Sequence, residues 1–534
     1  MSVRGIRAAV SVTAAAAVLA GAAACSNPDA DDDSGASGGD GTAVVLGVAN
    51  EPDTLSPLLG YGKDGNSKLF DGLLARNADM ELRPALARAL PEITADGTTY
   101  TYRLRDGVTF SDGEPLTAAD VVFTYETILD PGTNNVSKGD LQAVESVEAQ
   151  GEDTVVFHLK YPYAPFAERT VLPIVPEHVA GKGDVNTGAF NTEPVGTGPY
   201  VLDSWRKGEK LTFSANPDYW GGAPQVKKLT MAIIADDDIR ATRLRSGDLD
   251  GAILPPNLAK TFAEDDDKQT LAATTADHRA VTLPTGNPVT GDVAIRRALD
   301  VAVDRDTMVD KLLEGRGKAA YGPVPTDSEW FAKGTERRYD PERAERILDD
   351  AGWRVGDDGI REKDGQRASF TLYYPSGDKL RQEHALAFAG DAKKVGIEAT
   401  VESGTWEVIE PRMAEDAVLA GGGSPADPDF DLYPMLYSKL AGQGFNNMAS
   451  YTNPDVDAAL VEGRESGEKA ERKRAYDRVQ QELKDNPGYI FLTHIDHIYV
   501  LADTWRGLTT QVEPHEHGFG SGPWWNVESW QPAP

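Results

Sequence analysis

Residues 104–126 read LRDGVTFSDGEPLTAADVVFTYE and carry more information about the fold than any other stretch of this chain. Two Asp-Gly pairs, which are turn signals, bracket a short predicted strand at 108–110. Thr117 and Asp120 have the spacing of a capping box, which predicts a helix that starts at residue 118 and ends before Pro131. This order of strand, turn and helix is typical of mixed α/β domains.

Further strands and helices alternate along the rest of the chain. Alternating or short apolar runs predict strands at residues 43–49, 99–104, 153–160, 370–374 and 491–501. Asp340 before Pro341, followed by apolar residues at helical spacing, predicts a helix at residues 341–351. A second, longer helix is predicted at residues 378–395, after the strand at 370–374. The sequence has no repeat of fixed period, so we expect an α/β protein.

The chain is strongly acidic and long enough for two or three domains. Its 534 residues include 53 Lys or Arg and 85 Asp or Glu, which gives a formal net charge of −32. A surface of this sign repels the phosphate backbone, so nucleic acid is not expected as a partner. It also repels anionic lipid, so membrane attachment must come from a lipid anchor. With a single cysteine, the chain cannot form an intramolecular disulfide.

The N-terminal segment, residues 1–25, has the composition of an export signal. Arg4 and Arg7 give a positive start, and residues 8–24 are small or moderately apolar up to the sole cysteine, Cys25. Ala-Ala-Ala-Cys at the end of this segment resembles a bacterial lipobox, in which the cysteine is lipidated and becomes the mature N-terminus. The alternative is an ordinary secretory signal with an incidental cysteine. Residues 26–42 are rich in Gly, Ser and Asp, so we expect a flexible acidic spacer.

Six further blocks follow the 104–126 stretch in a fixed order. They are GTGPY at 196–200, NPDYW at 216–220, RSGDLD at 245–250, VAIRRALDVAVDR at 293–305, YDPERA at 339–344 and YTNPDVD at 451–457. Together the seven blocks resemble the family 5 extracellular solute-binding proteins of bacterial ABC importers, which serve peptides, nickel and metallophores. Their glycines and prolines set turns and their apolar positions fill cores, so the blocks identify the fold better than the ligand.

The resemblance implies an α/β protein with a two-lobe periplasmic-binding-protein-like fold, an extra subdomain and a hinge. Lobe I would combine residues 43–80, 190–285 and 500–534, the subdomain would be 81–189, and lobe II would be 286–499. A ligand enclosed between the lobes would favour their closed arrangement. The resemblance also implies a monomer, lipid-anchored to the outer face of the cell membrane, that delivers its ligand to an ABC permease with ATPase subunits.

The stretch GGGSPADPDFDLY at 421–433 resembles the segment in which peptide binders of this family place an Asp against the ligand's terminal ammonium. Asp427 and Asp429 are the candidate partners, because a partly buried carboxylate makes a charge-assisted hydrogen bond with an ammonium. The alternative role is turn capping, for which Asp-Pro is well suited. Three glycines replace the aromatic residue of the family pattern, and they either allow close backbone approach to a ligand or form a flexible loop.

Other candidates for the lining of a ligand site are polar or aromatic residues: Tyr61, Lys63, Arg412, Tyr433, Asn446 and Asn447. Arg412 has the chemistry to meet a ligand carboxylate with two parallel hydrogen bonds. An ordinary surface position is the competing interpretation of these residues.

Four of the eight histidines lie near the C-terminus: His494, His497, His515 and His517. Imidazole binds nickel and zinc, so a nickel chelate or another metallophore is the alternative ligand to a short peptide. In a strand at 491–501, His494 and His497 would point to opposite faces, which is a poor arrangement for a metal. We therefore expect structural histidines, with no protein-bound metal and no cofactor.

The sequence contains no recognisable catalytic constellation. The lone cysteine is used at the anchor, no HExxH motif occurs, and the one GxSxG match, at 35–39, lies in the spacer. We therefore expect a binding protein and not an enzyme. A passive surface adhesin is the third class, and the seven blocks argue against it.

Overall fold

The computed structural model describes residues 42–515 and 520–534. The predicted export signal, Cys25, nearly all of the spacer, and His517 lie outside the described residues. Among the helices of the described part, none combines the length and the apolar character needed to cross a bilayer.

The strands are spread over the whole described chain. In chain order they are β1 (Ala43–Val48), β2 (Leu74–Arg76), β3 (Leu82–Pro84), β4 (Glu92–Ile93), β5 (Thr99–Arg103), β6 (Val144–Gln150), β7 (Thr154–Leu159), β8 (Tyr200–Arg206), β9 (Lys210–Ala215), β10 (Lys228–Ile233), β11 (Gly251–Leu254), β12 (Lys268–Ala273), β13 (His278–Thr282), β14 (Gly317–Ala319), β15 (Arg354–Val355), β16 (Arg361–Lys363), β17 (Gln366–Arg367), β18 (Ser369–Pro375), β19 (Glu398–Gly404), β20 (Ala417–Gly422), β21 (Tyr489–Ile495), β22 (His497–Ala502), β23 (Trp505–Arg506) and β24 (Gln531–Pro532).

The helices alternate with these strands. They are α1 (Ala118–Leu129), α2 (Phe166–Arg169), α3 (Glu177–Ala180), α4 (Asp237–Ser246), α5 (Pro256–Ala259), α6 (Val293–Ala302), α7 (Arg305–Lys311), α8 (Pro341–Asp350), α9 (Lys379–Lys394), α10 (Trp406–Ile409), α11 (Asp429–Leu436), α12 (Pro454–Glu465) and α13 (Lys469–Asp485). The predicted helices at 341–351 and 378–395 are confirmed as α8 and α9, each with its preceding Asp as the N-cap.

The stretch at 104–126 forms a closed turn followed by α1. Asp120 accepts a hydrogen bond from the backbone N–H of Thr117 at 2.9 Å, so the predicted capping box and the helix it starts are confirmed. The predicted strand at 108–110 is wrong. Phe110 donates its N–H to the Glu114 carbonyl and Leu116 donates to the Val108 carbonyl, so the segment pairs with itself in a tight turn and no ladder extends from it.

Two large sheets organise the described chain. The first has the strand order β12-β22-β11-β1-β10-β9-β8, and the second has the order β14-β21-β13-β20-β18-β19. Both are mixed: β1 runs parallel to β10 and β11, and β18 runs parallel to β19 and β20, while their other pairs are antiparallel. A smaller antiparallel sheet, β4-β5-β7-β6, carries α1 on one face.

Each large sheet has its own apolar core. Leu46, Leu229 and Met231 of the first sheet are fully buried in a cluster that also includes the aromatic side chains of the smaller sheet. Val281 and Leu372 of the second sheet are buried in a separate cluster with the apolar faces of α6, α8 and α9. Two cores of this kind are expected for two lobes, because each sheet must bury its own apolar face.

The chain passes between the two sheets at two adjacent places. Residues 274–277 connect β12 of the first sheet to β13 of the second, and Asp496 connects β21 of the second sheet to β22 of the first. The prediction of one strand at 491–501 is therefore wrong, because the chain changes sheet at Asp496. The change of sheet also falls earlier than the predicted lobe boundaries at 285 and 499.

Candidate functional site

A cavity of about 370 Å³ lies where the chain passes between the sheets. One wall is formed by Thr274, Thr275 and Ala276, which belong to the connection itself. The other walls come from residues 324–330 and 424–431, with Asp79 and Val512 added from elsewhere in the chain. A cavity lined by both sides of a two-lobe fold is the expected position of a ligand.

A segment near the C-terminus crosses beside the two connections. Glu513 donates its backbone N–H to the Thr274 carbonyl and accepts the N–H of Ala276, and His515 donates its backbone N–H to the Gly423 carbonyl. This segment therefore ties the connection at 274–277 to the loop that follows β20. The cavity wall and the point where the two sheets join are parts of one hydrogen-bonded unit.

A cluster of buried charged side chains lies at these connections, centred on Asp277 and His497. The Asp277 carboxylate accepts hydrogen bonds from His497 Nε2 at 3.2 Å, from His515 Nδ1 at 2.8 Å and from Arg279. The carboxylate of Glu513 lies 2.6 Å from the other ring nitrogen of His497, Nδ1. Burial opposes the charge on His497, but the carboxylates of Glu513 and Asp277 outweigh it and raise the pKa of His497 to about 10. Burial lowers the pKa of His515, so His497 is the protonated ring of this pair.

Asp427 lies in the cavity wall and is already paired with an arginine. Arg472 donates to both of its carboxylate oxygens, at 2.6 and 2.9 Å, and both side chains are buried. Asp427 also accepts the backbone N–H of Asp429 at 3.0 Å, which is the turn-capping role that was the alternative interpretation. Contact between Asp427 and a ligand ammonium stays a prediction, and it would require the carboxylate to be shared with Arg472.

Asp429 is fully buried at the first position of α11 and does not line the cavity. Arg464 donates to it from Nη2 at 2.7 Å and from Nε at 3.0 Å, and the hydroxyl of Tyr163 donates at 2.8 Å. The Tyr476 hydroxyl lies 3.3 Å away. These contacts satisfy the carboxylate without a ligand, so a direct role with an ammonium stays a prediction for Asp429 as well.

The start of α11 also contacts the core of the first sheet. Tyr163, whose hydroxyl bonds Asp429, belongs to the core of the first sheet, and Phe430 packs against that same core. The guanidinium of Arg169 lies 3.3 Å from the centroid of the Phe430 ring. The first residues of α11 therefore pack on the core of the first sheet.

Two further candidates, Tyr433 and Asn447, are part of the packing around α11. The Tyr433 ring stacks on Tyr437 with centroids 4.5 Å apart, and the Arg464 guanidinium lies 3.4 Å from its centroid. Asn447 is fully buried and uses its side chain to bond the backbone of Tyr437 and Tyr451. These contacts give both residues structural roles in this conformation.

The remaining candidates lie outside the cavity lining. Asn446 donates to the Gln443 carbonyl. Arg412 is 53% exposed and lies 3.7 Å from Asp416, which matches the surface interpretation. Tyr61 packs against the first core, and Lys63 beside it is exposed. Asp64, the next residue after Lys63, acts electrostatically on the cavity residue Asp431 and raises its pKa.

The glycines at 421–423 make room for protein groups. Gly423 has φ of +139°, and a Cβ there would overlap the Ala276 carbonyl. A Cβ on Gly421 would lie 2.7 Å from Arg381 Nη2 and 2.8 Å from Arg279 Nη1. Close approach was one of the two interpretations of these glycines, and here the approaching groups are the connection at 274–277 and two arginines.

His494, His497 and His515 are hydrogen-bonded to other groups of the protein. His494 Nε2 lies 3.2 Å from the Pro323 carbonyl, and burial lowers its pKa to about 4. His494 and His497 lie in different sheets, so they cannot form a two-residue metal site on one strand. No group of three or more metal-binding side chains occurs in the parts of the chain that the structure describes.

Asp431 is a cavity residue that the sequence did not single out. It lies in the first turn of α11, is buried, and lines the cavity beside Ser424, whose backbone N–H it accepts at 2.9 Å. The family pattern directed attention to Asp427 and Asp429 because of the Asp-Pro step. No sequence pattern singled out Asp431, because Asp427 precedes the N-cap residue Pro428 and the two carboxylates do not belong to one helical face.

The chain matches the model of the bacterial extracellular solute-binding proteins, family 5 Middle, over residues 81–443. It is 67% identical over 471 residues to Protein XP55 of Streptomyces lividans, covering 88% of this chain and 87% of that protein. NikZ from Campylobacter jejuni, solved in complex with Ni(L-His), matches with a TM-score of 0.85 and 31% identity, over 92% of this chain and 99% of NikZ. AppA from Bacillus subtilis, solved with a nonapeptide, matches with a TM-score of 0.80 and 26% identity, over 92% of this chain and 99% of AppA.

The chain belongs to the family 5 extracellular solute-binding proteins. Its fold is the two-lobe fold of that family. Members of the family act outside the cytoplasm as the binding components of ABC importers, and the matched proteins include binders of peptides and of nickel complexes.

Proposed function

We propose that this protein captures a short peptide in the cavity between its two lobes and presents it to a membrane permease driven by ATPase subunits. The observation that carries the proposal is the cavity itself, which both sides of the fold line and whose wall includes several carboxylates. A peptide has a terminal ammonium that an acidic wall attracts. The oligopeptide-binding protein AppA and two di/tripeptide-binding proteins of Pseudomonas aeruginosa are among the relatives that match this chain.

The mechanism we propose is closure of the lobes about the two connections. Lobe I would carry the first sheet, with the 81–189 subdomain on it, and lobe II would carry the second sheet. The hinge would lie at 274–277 and Asp496, where the chain changes sheet. A ligand that contacts both lobes favours the closed arrangement, and binding alone accounts for this function without any catalytic step.

A nickel chelate is the second candidate ligand. The likeness to NikZ in complex with Ni(L-His) favours it, since both the TM-score and the identity exceed those for AppA. The described residues contain no cluster of three or more metal-binding side chains, and His494, His497 and His515 are bonded to protein groups, so we propose that the metal would arrive with its own chelator.

Titration calorimetry on refolded, ligand-free protein distinguishes these ligands. We expect binding to members of a library of di- to pentapeptides, and weak or no binding to nickel with L-histidine. Tight binding of the nickel–histidine complex without any peptide binding would reverse the order of the two candidates. Nickel alone is the control, because the described residues provide no cluster for the bare ion.

We also propose that the mature protein is a monomer anchored through a lipid on Cys25. The support is the signal-like segment before this sole cysteine and the acidic spacer after it. Replacing Cys25 by Ser should move the processed protein from the membrane fraction to the soluble fraction of cell extracts. Retention of the processed Cys25→Ser protein in the membrane fraction would contradict the anchor, and Ser26→Ala is the matched control.

A further inference from the structure

One hydrogen bond joins a side chain in the core of the first sheet to a helix that packs on the second sheet. Tyr163 is buried in the core of the first sheet, and its hydroxyl donates to the Asp429 carboxylate at 2.8 Å. Asp429 begins α11, whose apolar side chains pack with strands β13 and β21 of the second sheet. The two residues are 266 positions apart in the chain. Their contact therefore depends on how the two sheets are placed relative to each other.

Arg464 completes this contact from the side of the second sheet. It lies on α12, which packs against α11, and it donates to Asp429 from Nε and Nη2. Its guanidinium lies 3.4 Å from the centroid of the Tyr433 ring and 5.2 Å from that of the Tyr163 ring. The ion pair of Asp429 with Arg464 needs only residues of α11 and α12. The Tyr163 hydroxyl is the partner that comes from the core of the first sheet.

A second contact of this kind lies beside the first. The Arg169 guanidinium is 3.3 Å from the centroid of the Phe430 ring. Arg169 ends α2, whose first residue, Phe166, is buried in the core of the first sheet. Phe430 lies in α11 between Pro428 and Asp431, which both line the cavity. Movement of the lobes that opens the cavity at this place would break both contacts.

We propose that the bond from Tyr163 to Asp429 is a latch that forms only when the lobes close, and that Tyr163 is a positioning residue outside the ligand cavity. This inference rests on the proposed function, since it requires lobes that close about a ligand. In the open arrangement, water replaces the Tyr163 hydroxyl, and the ion pair of Asp429 with Arg464 remains. In the closed arrangement, the hydroxyl makes a charge-assisted hydrogen bond in a place from which water is excluded.

The size of this effect suits a protein that must also release its ligand. Arg464 already balances the charge of Asp429, so the Tyr163 hydroxyl shifts the ratio of closed to open protein by about tenfold and does not lock the lobes together. The apparent affinity for a ligand falls with the fraction of protein in the closed arrangement. Loss of the latch therefore lowers the affinity for every ligand by one common factor, whatever the charge of the ligand.

The first test measures the ratio of closed to open protein without any ligand. Cys25 is the sole cysteine, so in the Cys25→Ser chain spin labels attach only at introduced cysteines. Ile93→Cys in β4 and Leu386→Cys in α9 replace exposed residues on the two sides. Pulsed electron paramagnetic resonance gives the populations of the label distances, and the closed one is the distance in the present structure. We expect Tyr163→Phe to lower the closed-to-open ratio by about tenfold.

Calorimetry gives the second readout, which decides the matter if the ligand-free parent is entirely open. Tyr163→Phe should bind free peptides and N-acetylated peptides more weakly than the parent by one common factor of about tenfold. A loss that differs between the two kinds of peptide would mean that Tyr163 contacts the ligand, and it would overturn the proposal. Unchanged distances together with unchanged affinities would also overturn it. If the distances shift as expected but no peptide binds, the latch is supported and the proposed ligand fails.

Tyr102→Phe is the matched control. Tyr102 is buried in the same core as Tyr163, and its hydroxyl lies 3.1 Å from Oγ1 of Thr170, which follows α2. The substitution removes a buried hydroxyl without changing a contact to α11, so the closed-to-open ratio and the affinity should stay within about twofold of the parent. If Tyr102→Phe lowers the ratio as much as Tyr163→Phe does, the effect comes from weaker packing of the core, and the proposal is wrong.

Discussion

Replacing Asp429 by Ala should lower the free energy of unfolding by about 3–5 kcal/mol, because it removes one member of a buried ion pair. Asp429 is fully buried, and Arg464 donates to it through two nitrogens. Without the carboxylate, the guanidinium keeps its charge in a site from which water is excluded. The hydroxyls of Tyr163 and Tyr476 lose their acceptor at the same time.

Urea denaturation followed by circular dichroism measures this loss, with exposed Asp266→Ala as the control. The control should change stability by less than about 0.5 kcal/mol. The double variant Asp429→Ala with Arg464→Met should recover part of the loss, because no unpaired charge remains. If Asp429→Ala is as stable as the parent, the ion pair with Arg464 does not support the fold. Because the single variant is destabilised, weak ligand binding by it would not identify an ammonium site.

The second large effect should come from His497, which is held between the carboxylates of Asp277 and Glu513. Its pKa is raised from 6.5 to about 10 in the folded protein. Protonated His497 therefore stabilises the fold fully below about pH 6.5, and this contribution is lost as the pH rises toward about 10. His497→Gln should be several kcal/mol less stable than the parent at about pH 6.5, since it leaves two buried carboxylates without their shared cation.

Urea midpoints at a series of pH values test this linkage. The stability difference between the parent and His497→Gln should shrink by up to about 1.4 kcal/mol per pH unit above about pH 6.5. Asn446→Ala is the control, because the Asn446 side chain carries no titratable group and bonds only the nearby Gln443 carbonyl, so its difference from the parent should stay constant with pH. Parallel curves for the parent and His497→Gln across this range would show that His497 is not the protonated group.

Much of the fold could be predicted because its signals are local. The capping box of Thr117 and Asp120 and the Asp340 N-cap of α8 act over three or four residues, and both helices begin where these signals predict. The prediction of a single strand at 491–501 was wrong because the break at Asp496 depends on residues that are distant along the chain. Its residues favour extended structure on both sides of Asp496, and only the pairing partners, β13 and β14 on one side and β11 and β12 on the other, divide them into two strands.

The sequence indicated which loop lines the candidate site, but it could not show which of the carboxylates in that loop are paired with an arginine. The resemblance identified the loop after β20, and this loop does line the cavity. Which carboxylate is compensated depends on partners far along the chain: Arg464 lies 35 residues from Asp429, and Arg472 lies 45 residues from Asp427. No pattern of nearby residues distinguishes Asp431 from these two carboxylates.

The sequence by itself determined the family, the alternation of strands and helices and the acidic character, because turn residues, caps and apolar periodicity act through near neighbours. Only the tertiary structure decided how the charges are arranged. It enclosed His497 between Asp277 and Glu513, which lie 220 and 16 residues away along the chain. It also placed the buried Asp431 carboxylate at the cavity, where it accepts the backbone N–H of Ser424. The reason is physical: the energy of a buried charge depends on distance and on exclusion of water, and folding sets both.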